Sequence, residues 1–161
     1  RGLVVQDPYF KAYHSKSKGD FLEAVSAYNQ QISRNAYNPV PHYLLAQLYL
    51  AGRDQDKAIK ELQRAEVKSE LSDEYVFPEI YMLMGRVYKE AEDKKTALVK
   101  YDKAFEIGKD NVFILKRLRE ELGDLNQSAR IKAINKSIAD LEKAEKEAAE
   151  KADTAEETPS T

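Results

Sequence analysis

Residues able to do chemistry are few and scattered in this 161-residue chain. Its two histidines, His14 and His42, are far apart, and neither has metal-ligand spacing to another ligand. Each reads as a half-exposed helical residue. There is no cysteine, which removes thiolate, disulfide and Cys-based zinc chemistry. No glycine-rich phosphate loop and no nucleophile elbow is present. The adjacent acids Asp73-Glu74 and Glu120-Glu121 lie in highly charged stretches and read as solvating groups, not as proton-transfer pairs. The expectation is therefore a protein that is not an enzyme, with no cofactor and no metal.

Charge and hydropathy narrow the class further. Lys and Arg number 26 against 28 Asp and Glu, a formal charge of −2. Nucleic-acid binders carry a basic excess, so no nucleic acid is expected as a partner. Residues 109–136 hold seven basic and four acidic residues, which reads as a solvated helix face. Residues 137–161 hold three and eight. No run of 18 apolar residues exists to span a membrane. A cysteine-free chain folds in either redox setting, so cytoplasm and periplasm both fit. The chain starts at Arg1 and not at Met, which leaves open a removed signal or anchor segment.

What the chain can position is set by its helices. Gly (6) and Pro (5) are scarce, whereas Ala, Leu, Lys, Glu and Gln are common, favouring helix over a turn-rich sheet. Apolar residues at three- and four-residue spacing mark 43–51, 55–68, 79–91 and 94–107 as helices with one buried side. The breaks Gly19-Asp20, Gly52-Arg53-Asp54, Glu92-Asp93 and Gly123-Asp124 are short and polar. Glycine is expected to take positive φ just past a helix end, and the aspartate to cap the next helix. Such short links make successive helices antiparallel neighbours. Longer breaks fall at 35–41 and 69–78.

The helices repeat. A small residue recurs at Ala24, Ala58 and Ala97, and a bulky one four later at Tyr28, Leu62 and Tyr101. Ala24 and Ala58 are 34 residues apart, Ala58 and Ala97 39 apart. A period in this range marks stacked units that bury together what each cannot bury alone. Small residues at Ala46, Gly85, Ala58 and Ala97 let helices approach, and Tyr49, Tyr88, Leu62 and Tyr101 fill the remaining space. Ala58→Leu or Ala97→Leu is expected to overpack the contact at a cost of about 1–3 kcal/mol.

These residues resemble the tetratricopeptide repeat family. Leu45-Ala46 and Tyr49 followed by Ala58, Leu62 and Ala65 match its order of large, small and aromatic positions. Tyr81, Met84-Gly85 and Tyr88 followed by Ala97, Tyr101 and Ala104 match it again. The resemblance implies an all-α, right-handed superhelical array of antiparallel helix pairs, about three repeats plus a degenerate fourth with capping helices. The expected boundaries are a lead-in at 1–7, a degenerate first repeat at 8–38, repeats at 39–72 and 73–110, and a degenerate repeat or cap at 111–142. Residues 143–161 form a charged, Ala-rich helix end and tail, with 152–161 expected to be disordered. Ile131, Ile134, Ile138 and Leu141 read either as the buried face of a capping helix or as a self-association seam.

The resemblance also implies where a partner binds. First helices of such repeats line a groove that takes a peptide or a helix. By position it would show Tyr43, Gln47 and Leu50, then Met82, Arg86 and Lys89, and from the first repeat Tyr9, Tyr13 and Lys16. Repeats that dock acidic chaperone tails carry a Lys and Asn clamp here. This chain has Tyr9, Tyr13, Leu44 and Met82 at most of those positions, so that role is not expected. The expected function is an adaptor or scaffold that holds a partly apolar peptide or amphipathic helix of another protein. A self-assembling homo-oligomer and a secretion-type chaperone are the alternatives.

Overall fold

Among residues 18–156, which a computed structural model describes, seven α-helices follow one another with no strand. They are α1 (Lys18–Arg34), α2 (Val40–Ala51), α3 (Gln55–Glu70), α4 (Pro78–Glu90), α5 (Lys94–Gly108), α6 (Val112–Leu122) and α7 (Ser128–Glu156). The fold is all-helical, as the periodicity predicts. The chain divides into two compact units, Arg1–Ala104 and Phe105–Thr161.

Helix starts follow from local chemistry. α4 begins at Pro78, where a missing N–H costs nothing. Phe77 before it is extended (φ −121°, ψ 119°), as a residue preceding proline must be. α2 carries Pro41 in its first turn, and Asn38 Oδ1 accepts from the Val40 amide at 2.9 Å. The break expected at 35–41 therefore ends two residues early. Asp54 Oδ1 caps α3 by accepting from the Lys57 amide at 3.1 Å, and Asp93 Oδ1 caps α5 from Thr96 at 3.0 Å. The hydrogen bonds from Thr96 hold the Asp93 carboxyl below the usual carboxylate range.

The turns correct one expectation. Gly52 (φ −82°) and Gly123 (φ −54°) are not left-handed. The positive φ falls on Arg53 (60°), Glu92 (62°) and Asn126 (53°). Arg53 and Glu92 are equivalent in successive repeats. In both turns the next amide returns to the first helix: Asp54 N donates to Tyr49 O at 2.8 Å and Asp93 N to Tyr88 O at 2.9 Å. The capping aspartate, and not glycine, fixes the turn, so the left-handed residue is whichever one precedes it.

The repeated positions form the core of the first unit. Ala24, Ala46, Ala58, Ala65, Ala97 and Ala104 are buried, as are Tyr28, Leu62 and Tyr101. Gln55 Nε2 of α3 donates to Val87 O of α4 at 3.2 Å, and Lys100 of α5 pairs with Glu66 of α3 at 2.7 Å. The extra residues of the second repeat lengthen α3 to Glu70 and add a 3₁₀ turn at Asp73–Tyr75.

In the second unit α6 packs against α7. Leu118 and Leu122 of α6 and Ile134 and Ile138 of α7 are buried, with Ile131 and Leu141 half-buried. Arg119 Nη1 donates to Asn135 Oδ1 at 2.8 Å. The isoleucine seam thus packs against α6 within this unit. α7 runs to Glu156, so 152–156 is helix and not the disorder expected there. Ala, Lys and Glu extend a helix readily, and propagation costs far less than nucleation. From Glu142 to Ala155 every residue is exposed.

Candidate functional site

The expected groove residues lie on two first helices, α2 and α4. Tyr43, Gln47 and Leu50 follow one another on α2, and Met82, Arg86 and Lys89 on α4. Each pair of counterparts is 39 residues apart. Tyr9, Tyr13 and Lys16 lie outside the described residues. Burial divides the six that remain. Tyr43 is only 7% exposed and Met82 2%, so neither offers a surface. Gln47, Leu50, Arg86 and Lys89 are half-exposed. The Gln47 side-chain amide donates to the Tyr43 hydroxyl at 3.0 Å, which fixes both side chains. Tyr43 and Met82 are thus buried, each with half-exposed residues following it along its own helix.

A second cluster is one that sequence reasoning missed. His42, which reads from sequence as a half-exposed helical residue, is 5% exposed, near the start of α2. Its Nδ1 lies 2.6 Å from Glu61 Oε2, and its Nε2 lies 2.6 Å from Lys68 Nζ. Arg64 Nη1 donates to the other Glu61 oxygen at 2.5 Å. A consistent proton count has Nδ1–H donating to the carboxylate and Nε2 accepting from the lysine ammonium. Burial opposes ionisation of Glu61 most strongly. The hydrogen bonds from His42 and Arg64 and the electrostatic attraction of these two side chains together outweigh it and hold the carboxyl below its ordinary 4.5. Burial pulls Lys68 below its ordinary 10.5, with Arg64 adding to the effect and Glu61 opposing it.

One sequence signal points to this cluster. His42 lies 39 residues before Tyr81, a core position of the next repeat. Tyr81 is buried, and its hydroxyl is pushed up to about 12 by burial and by the nearby Glu66 and Glu70. At the equivalent place a histidine needs polar partners, and Glu61 and Lys68 supply them.

Beside this cluster a surface pocket of about 510 Å³ is lined by Ile32 of α1, His42 of α2, and Lys60, Gln63, Arg64, Val67 and Lys68 of α3. Its lining comes from α1 and α3 with His42 from α2, and it includes none of Gln47, Leu50, Arg86 and Lys89. Among the described residues, no group of three or more His, Cys, Asp or Glu side chains is placed to hold a metal ion. No described helix is long and apolar enough to cross a membrane.

Comparison with known proteins is informative about fold. A crystal structure of MamA, a TPR-like protein, superposes with a TM-score of 0.58 at 16% identity, over 80% of this chain and 72% of that one. A second MamA crystal structure gives 0.57 at 15% identity, over 78% and 66%. The fold is a tetratricopeptide-type helical repeat. No family model matches the sequence, and no curated protein matches it.

Proposed function

We propose that this helical repeat protein is an interaction scaffold, binding and not catalysing, that takes a peptide or amphipathic helix of a partner protein across α2 and α4. The observation that carries the reading is the matched pair of half-exposed residues on each first helix. Gln47 and Leu50 of α2 hold the same repeat positions as Arg86 and Lys89 of α4, each pair following the buried Tyr43 or Met82 along its own helix. Leu50 offers an apolar contact, Gln47 a hydrogen-bonding amide, and Arg86 and Lys89 cations. Such a set suits an amphipathic segment laid across successive helices. Arginine is also a residue type enriched where binding energy concentrates.

The buried residues support the reading by fixing that surface. Tyr43 holds Gln47 through its hydroxyl, so less side-chain freedom is lost when a partner docks. The test is affinity capture with a Gln47→Ala/Arg86→Ala double variant. Loss of the captured partner, with the helical circular dichroism spectrum unchanged, is expected. Retention of the partner would place binding elsewhere.

A further inference from the structure

The pocket lined by α1, α3 and His42 has the form of a second docking site, and it shares no lining residue with the half-exposed set on α2 and α4. Three cations, Lys60, Arg64 and Lys68, follow one another at four-residue steps along α3, and all line it. Like charges at this spacing repel on a helix. Among the described residues, Glu61 is the only carboxylate that this row contacts, and it is already engaged by Arg64 and His42. Lys60 makes no ion pair among the described residues. The row therefore carries positive charge that an incoming acid would offset.

Two of these cations are held in place before any ligand arrives. Lys68 spends one of its three N–H donors on His42 Nε2, and Arg64 spends a donor on Glu61. The remaining donors stay available, and the side chains have already lost part of their freedom. The other half of the pocket is apolar. Ile32 lines it from α1, and Val67 lines it from α3 while remaining 58% exposed. Leu71, one turn beyond Val67, is 68% exposed. Large aliphatic groups left this open among cations suit a ligand with both an apolar and an acidic part.

We propose that this pocket docks an acidic segment of a partner protein that carries one large apolar side chain. The apolar side chain packs on Ile32 and Val67, and flanking carboxylates meet Lys60, Arg64 and Lys68. Charge complementarity selects the occupant: a basic segment is repelled, and a neutral apolar one leaves the cations unanswered. The site stands independently of the α2/α4 face.

The test is fluorescence anisotropy with a synthetic library of acidic peptides bearing a central Phe, Leu, Ile or Trp. A matched set replaces every acid with Lys. Binding by the acidic set alone, weakened by added salt, is expected. Lys60→Glu and Val67→Ser alter exposed side chains, so folding is retained, and each should weaken binding about tenfold. Gln47→Ala/Arg86→Ala should leave it unchanged, which separates this site from the other face. The proposal is overturned if no acidic peptide binds, if the lysine set binds equally, or if both pocket variants bind like the parent chain. Preferential binding to phosphatidylserine vesicles that Lys60→Glu abolishes would also overturn it, since the occupant would then be a membrane surface.

Discussion

Gly85 of α4 leaves the space that the ring of Tyr101 on α5 fills: a Cβ at Gly85 would lie 2.5 Å from Cε1 and 2.6 Å from Cδ1. Tyr101 is 1% exposed, so its ring has nowhere to retreat. Alanine favours a helix over glycine by about 1 kcal/mol, but here the overlap wins. Gly85→Ala should destabilise the chain by about 1–3 kcal/mol, seen as a lower urea midpoint. Tyr101→Leu in the same chain should recover part of the loss, a non-additive pair. Additive losses would show that the two residues do not share this contact.

Arg53 and Glu92 take left-handed backbone at equivalent turns, a conformation that costs a residue with a Cβ roughly 1–2 kcal/mol. Glycine there removes the strain but adds freedom to the unfolded chain. Arg53→Gly and Glu92→Gly should each stabilise by up to about 1 kcal/mol in thermal unfolding. A loss of stability in both would contradict the assigned backbone.

Much of the repeat is legible in the sequence because its core is periodic. The spacing of Ala24, Ala58 and Ala97 with Tyr28, Leu62 and Tyr101 is enough to mark the helix pairs, and all six are buried. The site is less legible, because periodicity states which side a residue faces and not how deeply it is covered. Tyr43 and Met82 share a face with Gln47 and Arg86 yet are buried. The His42 cluster joins residues 19 and 26 positions apart, and no local pattern announces such a contact. Gly52 misleads because the capping Asp54, and not the glycine, defines its turn, and beyond Gly123 the left-handed residue is Asn126.

Acid should expose the role of Glu61. Its folded pKa lies below 4.5, so between that value and 4.5 the unfolded chain binds more protons than the folded one. The stability it contributes is therefore present above 4.5 and is lost as pH falls through the folded value. Glu61→Gln should cost about 1–3 kcal/mol at neutral pH. The gap between parent and variant should then close on acidification. A gap that stays constant with pH would show that the carboxylate charge contributes nothing.

The two ends of α7 should behave differently. Ile134 is buried between α7 and α6, and Ile134→Ala should cost about 2–5 kcal/mol. Deleting residues 145–161 removes helix that is exposed along its described length. The deletion should lower helical ellipticity while moving the melting temperature by no more than about 3 °C, the shift that roughly 1 kcal/mol produces in a chain of this size. A large drop in melting temperature would show that the far end of the helix is packed.

Binding of a partner protein on the α2/α4 face is tested most directly by quantitative affinity capture from an extract of the native cell. The parent chain and the Gln47→Ala/Arg86→Ala variant are compared side by side, with matched helical spectra. The result expected is one or a few polypeptides enriched by the parent chain and lost from the variant. Equal capture by both, or no specific capture by either, would contradict a partner-binding role for this face.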